Sequence, residues 1–404
     1  MKITKLLCAA LMVGALASCS DDEPKQRVFE ENTFTDKTGL TMMVNDAQMY
    51  GGIVKYTPGA DNTVATLTVT TEFDLEMIPG IEGMGIEGLD SYKLAGPGVI
   101  PGSKELVLPV RLTDVTEDHA SFSGSYETQY CTFNYNGEIT KENLILNFTD
   151  VLLKNPSIVG DYKTLPFAID EDTNSENYGG VLANPIYINW ESGAGINLLG
   201  SPVPPKVLLS LVMVMPLLND NQLTVPQALN EALQGVSFAK TGDVIAKIKE
   251  DIADPKAPVV TSPANLAQYV LTGSNSMLFF LNPNAIAVAD ATRTRADLNI
   301  DFSNLFGNAI AQLAPMLSDG VPMSYKADGK NLTVYLGTET LLPLLKQISP
   351  LLENEELINQ LVEMVSADPS MGMFAAFLPD ILKSVPEVIE KTTVLEVGIN
   401  LVKE

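Results

Sequence analysis

Any chemistry in this chain has to come from few side chains. Its 404 residues include one His, three Cys and one Trp, against 50 Asp and Glu. His119 closes the polar run Asp114–His119; with no second His and no free Cys pair, a zinc site lacks ligands. A Ser–His–acid triad would have to use His119 alone, and there is no G-x-S-x-G elbow. Gly83-Met84-Gly85-Ile86-Glu87-Gly88 matches a dinucleotide fingerprint by letter, but Pro79-Gly80 precedes it and LDSYKLAGPG follows. The strand and helix that bring amides to a pyrophosphate are therefore not expected, and the segment reads as a loop. Asp170-Glu171-Asp172-Thr173-Asn174-Ser175-Glu176 gathers hard oxygen ligands as a calcium loop does. Ser175 stands where such a loop turns on Gly, and Val181 where it needs Glu, so an exposed acidic loop is expected instead.

Two further groups touch on binding. Tyr187 and Trp190, with Glu191 beside them, supply aromatic faces suited to the C–H surface of a sugar. Alternation along Ile186–Trp190 also puts Ile186, Ile188 and Trp190 on one face, where Trp190 would be a core anchor. Both readings stay open. Met371, Phe374 and Phe377 lie in a segment rich in Leu, Met and Phe; such surfaces adapt to apolar ligands, and equally form core. Glycoside hydrolysis needs two carboxyls across a cleft, which spacing alone does not single out among so many acids. No cofactor and no metal is expected.

The elements that must position these residues follow from hydrophobic period. From Thr38 to Ser157 the pattern alternates: Leu40-Met42-Val44, Val64–Thr70, Glu105–Leu112 with Pro109 at an edge or bulge, Ser121–Phe133 and Asn143–Phe148. Pro58–Asn62, Pro101-Gly102 and Asn136-Gly137 read as turns. Residues 168–180 read as a loop or linker. Beyond it the pattern mixes. Helices are expected over Lys206–Leu218 and Val225–Leu233, the latter capped by Thr224. Hairpins are expected over Val236–Ile248 and Met323–Leu336, with Asp328-Gly329 as the second turn. Helical spacing recurs at Phe306–Leu317, Leu341–Leu352, Ile358–Val365 and Phe374–Leu382, before a last strand over Thr392–Val402.

Composition bounds the function. Lys and Arg number 25, giving a formal net charge of −25 and a pI near 4.3, so no basic field exists for nucleic acid. Hydrophobic residues at 46% are enough for a large core. At the N-terminus, Lys2 and Lys5 precede an apolar Leu6–Leu16, the length of a secretory signal and too short to span a bilayer.

The Leu16-Ala17-Ser18-Cys19 that ends this leader is similar to the lipobox of bacterial lipoproteins. The resemblance implies cleavage after residue 18, acylation of Cys19 and a membrane partner through the lipid. Ser20-Asp21-Asp22-Glu23 resembles the surface-export signal of Bacteroidetes lipoproteins, which implies an outer-membrane protein facing the cell exterior. Cys8 would leave with the leader, so Cys131 would be the only unmodified Cys and no intrachain disulfide could form. The ordered set LTMMVND, LTVTTEF, VIPGSKEL, LPVRLTDV and FSGSYETQYCTFNYNGEITKENLILNF resembles the calycin-like N-terminal halves of Bacteroidetes lipoproteins of unknown function. PIYINWES, TSPANLAQYVL and LEVGINLV extend the resemblance to the C-terminus.

The expected organisation is a signal peptide (1–18), an acidic tether (19–35), a calycin-like β domain (36–160) and an α+β domain (161–404). The fold class is mainly β: an antiparallel barrel or sandwich followed by a sheet covered by helices. The expected function is non-enzymatic binding or scaffolding through an apolar cavity or groove, with an apolar small molecule, a glycan or an envelope protein as partner. A carboxylate-based glycan hydrolase and a purely structural envelope component are the alternatives.

Overall fold

The structure is a computed structural model that describes residues 29–61, 63–74, 93–218, 223–285, 316–353, 355–367 and 376–404. Cys19, Ser20, Asp21, Asp22, Glu23, the Gly83–Gly88 segment, Phe306–Leu313, Met371 and Phe374 lie outside these residues. The chain is mainly β, with 49% strand and 19% helix.

The first ten-stranded sheet uses β1 (Asn32–Thr35), β2 (Leu40–Val44), β3 (Ala47–Gln48), β4 (Gly52–Pro58), β5 (Val64–Asp74), β6 (Lys93–Ala95), β7 (Leu106–Thr113), β8 (His119–Glu127), β9 (Cys131–Thr140) and β10 (Leu144–Leu153). Their order is β1-β4-β5-β7-β8-β9-β10-β2-β3, with β6 on β5. Only the β10–β2 pair in this path is parallel. Among the described residues the path stays open, so a sandwich-like sheet forms and not a closed barrel. Its corner is β7, which pairs β5 along Leu106–Arg111 and β8 only at Leu112 and Thr113. Pro109 sits where β8 has already peeled away, so its missing N–H costs no ladder bond. Its carbonyl accepts from the Tyr135 hydroxyl at 3.1 Å.

Three hairpin ends in this sheet share one device. Thr116, Thr128 and Thr140 fall twelve residues apart, and each hydroxyl accepts the N–H of the third residue on: His119 at 3.1 Å, Cys131 at 3.1 Å and Asn143 at 2.9 Å. The hydroxyl supplies the backbone acceptor that a tight turn needs. Two expectations are corrected by it. Ser121–Phe133 is not one strand, because the Thr128 turn divides it into β8 and β9. Asn136-Gly137 is not a turn. It lies mid-β9, paired with Ser123 and Phe122, and a Cβ on Gly137 would stand 2.4 Å from the Phe122 ring. The glycine lets both that ring and the Ile145 carbonyl, 2.2 Å from the same point, lie close to the strand.

The second ten-stranded sheet uses β11 (Gly160–Thr164), β12 (Ile186–Ser192), β13 (Leu233–Phe238), β14 (Val244–Lys249), β15 (Val259–Thr261), β16 (Ala267–Leu271), β17 (Ser276–Leu281), β18 (Val321–Asp328), β19 (Asn331–Leu336) and β20 (Thr392–Lys403). The order is β15-β14-β13-β11-β20-β19-β18-β17-β16. One edge of the long β20 is shared: β11 takes Leu401–Lys403 and β12 takes Thr392–Ile399. Helices are α1 (Pro205–Val214), α2 (Val225–Ala232), α3 (Thr338–Ile348), α4 (Glu355–Ala367) and α5 (Leu378–Glu390). α2 carries a full capping box between Thr224 and Gln227. α1 stops at Val214, short of the expected Leu218. Pro216 forces Met215 into extended backbone, at ψ 135°.

One continuous apolar core joins the two sheets, from Phe34, Leu67 and Phe148 to Tyr162, Tyr269 and Leu401. Three buried asparagines of the second half clasp the backbone of the first. Asn265 Nδ2 donates to Ala47 O and Gln48 O, Asn282 Nδ2 to Tyr50 O, and Asn284 Nδ2 to Glu72 O. Cys131 is fully buried against Pro101 O. Burial pushes its thiol up to about 12, so the reactive thiolate is a trace species at pH 8. Iodoacetamide at pH 8 is expected to leave Cys131 unmodified in the native protein and to alkylate it fully in denaturant, read by peptide mass. Native labelling at the denatured rate would contradict the packing.

Candidate functional site

Among the sequence-selected residues that the structure describes, Tyr187 is the one that the fold places in a polar constellation. It lies on β12 opposite Gly398 of β20, and Gly398 lies opposite Tyr335 of β19. Gly398 has no side chain to hold the two tyrosines apart, so their rings meet across it with centroids 5.1 Å apart. Lys326, one strand further on β18, lies over both rings, its Nζ 5.1 Å from the Tyr187 centroid and 4.7 Å from that of Tyr335. The chain of donors is continuous. Lys326 Nζ donates to the Tyr187 hydroxyl at 3.1 Å, and that hydroxyl donates to Glu396 Oε2 at 2.5 Å. Asn189 Nδ2, two residues along β12, donates to the same carboxylate oxygen at 3.4 Å.

Protonation states follow. Burial, with the neighbouring Glu396 carboxylate, raises the Tyr187 phenol above its ordinary value, and the bond to Tyr187 raises the Lys326 ammonium. At neutral pH Lys326 is thus a cation and Tyr187 a neutral phenol. Lys326 is more than half exposed while the Glu396 side chain is 20% exposed. The cationic end meets solvent, and the acidic end is held from below. Register also brings Glu191 to this face, since its partner Val394 is two residues from Glu396. Two carboxylates on one sheet surface do not face each other across a cleft, which is what glycosidic cleavage requires.

The other predicted site residues go elsewhere. Trp190 is three residues from Tyr187, so it points to the opposite face. Its Nε1 donates to Thr392 Oγ1 at 2.9 Å, and the ring packs on the small helix-side core of Ile196, Leu208, Ile381 and Val388. Tyr187 and Trp190 therefore form no common platform. Phe377 packs on that same small core. His119 opens β8, with Nε2 3.6 Å from Glu138. In the acidic loop, Asp170 and Asp172 spend their carboxylates on Ser175 Oγ and Asn174 N within the loop itself. Among the described residues, no group of three or more His, Cys, Asp or Glu side chains is placed to hold a metal ion.

No protein-family model, curated protein or solved structure matches this chain. Among the described residues no helix is long and apolar enough to cross a membrane.

Tyr335, Lys326, Glu396 and Gly398 were not singled out by sequence. The signal they leave is weak: a Gly in a strand otherwise rich in β-branched residues marks a place where something lies close to the backbone.

Proposed function

We propose that this is a lipid-anchored binding or scaffolding protein of a Bacteroidetes-like envelope. It is held in the outer membrane through Cys19, and it presents Tyr187, Lys326 and Glu396, backed by the buried Tyr335, to a glycan partner on the cell exterior. The observation that carries the binding reading is the partly exposed Tyr187 ring, backed by the buried Tyr335 ring and edged by a lysine, a carboxylate and an amide on one sheet face. Aromatic faces take up sugar C–H surface, and the polar groups around them meet hydroxyls. The carboxylate is already bonded to Tyr187 and Asn189, which favours holding a ligand over transferring protons. The leader and its Leu16-Ala17-Ser18-Cys19 end support the anchor.

The anchor is tested by mass and by location. The mature chain is expected to start at an acylated Cys19, and Cys19→Ala is expected to leave the membrane fraction. External protease is expected to digest the wild type on intact cells, and protection until lysis would refute display. Tyr187→Ala is expected to weaken retention on an envelope-glycan affinity gel by about tenfold, the loss of one aromatic contact. Unchanged retention would remove this face from the binding reading.

A further inference from the structure

We infer that α1 and the hairpin leading into it form a lipid-docking element, which lays the second half of the protein on the membrane surface. The inference rests on the lipid-anchor reading above.

The first observation is a residue in the wrong place. The hairpin Ile196–Leu198/Ser201–Val203 turns on Leu199-Gly200, with φ of +57° and +79°. Such a turn favours Asn-Gly, because a branched side chain in the left-handed region is strained. Leu199 is also 72% exposed. It accepts backbone strain and full hydration together, so its place is not explained by the fold of the isolated chain.

The second is the helix that follows. α1 has the sequence PKVLLSLVMV. It buries Pro205 and Leu208 and leaves Val207 56% and Leu211 47% exposed. These two are four residues apart and share one helix face. The outward face thus sets Val207 and Leu211 beside the exposed Lys206 and Ser210, an amphipathic surface of the kind that lies at an apolar–water boundary.

The third is charge. From Ser192 to Leu218 there is one charged residue, Lys206, in 27 positions; the chain average of 19% would place about five there. None of the 50 acids falls in this stretch. A protein with net charge −25 is repelled by phosphate headgroups over most of its surface, and this segment has no carboxylate to add to that repulsion. Its single cation is of the kind that reaches headgroups while its stem lies on apolar surface.

The fourth is reach. Cys19 and Phe29, the first described residue, are ten residues apart. Fully extended, that span is about 35 Å. An acylated Cys19 would keep the folded body that close to a bilayer, so lipid is the apolar medium always at hand.

The test uses the full chain purified from membranes and reconstituted in phosphatidylcholine vesicles. Leu199→Cys is labelled with an environment-sensitive dye; Cys131 is buried and takes none. The expected result is blue-shifted emission that lipid-borne quenchers reduce, whereas a dye at Ser125→Cys on the first sheet reports water. Leu199→Asn with Leu211→Gln is expected to fold at least as stably, because Asn suits the turn. It is also expected to lose about tenfold in vesicle partition of the unacylated form. Water-like emission at 199 overturns the inference. So does a concentration-dependent dimer that the double variant abolishes while the vesicle-bound dye stays aqueous, since the covering surface is then a second copy. Acylation is read separately by mass at Cys19, so failure of the anchor and failure of docking give different records.

Discussion

Replacing Gly398 by alanine is expected to cost more than about 3 kcal/mol of stability, a large fraction of the total that holds a domain folded. A Cβ there would stand 2.1 Å from Val334 O and 2.5 Å from Tyr335 Cα. Both are backbone atoms of the adjoining strand, and neither moves without breaking the β19–β20 ladder, which runs from Asn331↔Val402 to Leu336↔Val397. β20 also carries β11 and β12 on its other edge, so a displacement is transmitted to the middle of the second sheet. Gly329→Ala is the matched control. Gly329 has φ +58° in the Asp328-Gly329 turn, and no atom beyond its chain neighbours lies within 4 Å of where its Cβ would be. Only the left-handed backbone penalty applies, about 1 kcal/mol. Denaturant melts of the two variants decide the matter: similar midpoints would mean that the close approach at Gly398 relaxes freely. The same contact brings Tyr187 and Tyr335 together, so surviving Gly398→Ala protein should also lose retention on the glycan gel.

What was legible in the sequence was local. The hairpin over Met323–Leu336 announces itself through alternation on both sides of Asp328-Gly329, and α2 through Thr224 as cap and Pro226 in its first turn. Pro109 was readable as an edge or a bulge, because a missing donor must sit where no ladder bond is needed. Asn136-Gly137 misled for the converse reason. The same dipeptide chemistry serves a turn or a ring lying on a strand, and the ring of Phe122 arrives from fifteen residues away. The Thr116, Thr128 and Thr140 turns were in plain view, yet threonine is so common in strands that only the twelve-residue spacing marks them. Tyr187 was found from its own type and strand. Its partners come from β18, β19 and β20, and only the sheet order, which sequence periodicity does not encode, sets Lys326, Tyr335 and Glu396 beside it.

Asn265→Asp tests the join between the two halves, and its effect should depend on pH. Asn265 is buried, with φ +60°, and its Nδ2 donates to Ala47 O at 3.3 Å and Gln48 O at 3.4 Å. Aspartate has the same shape and tolerates the same backbone, so packing and strain are held constant. What changes is the sign of the polar atom. An ionised carboxylate would face two carbonyl oxygens, with the Asp243 carboxylate already bonded to the residue's own N–H at 3.0 Å. Burial and like charge both disfavour ionisation, so the new carboxyl is raised in the folded state and ordinary, near 4, in the unfolded state. The folded protein then holds the proton more tightly, and stability relative to wild type falls as pH rises above about 4. At low pH the protonated oxygen can donate to Ala47 O as the amide did, and the deficit should be small. At pH 7 it should reach about 3 kcal/mol or more, the cost of a buried unpaired charge. Wild-type and variant melts compared at each pH remove the chain's general acid response. A deficit that stays constant between pH 4 and pH 7 would show that the Asn265 amide donates nothing to the first sheet.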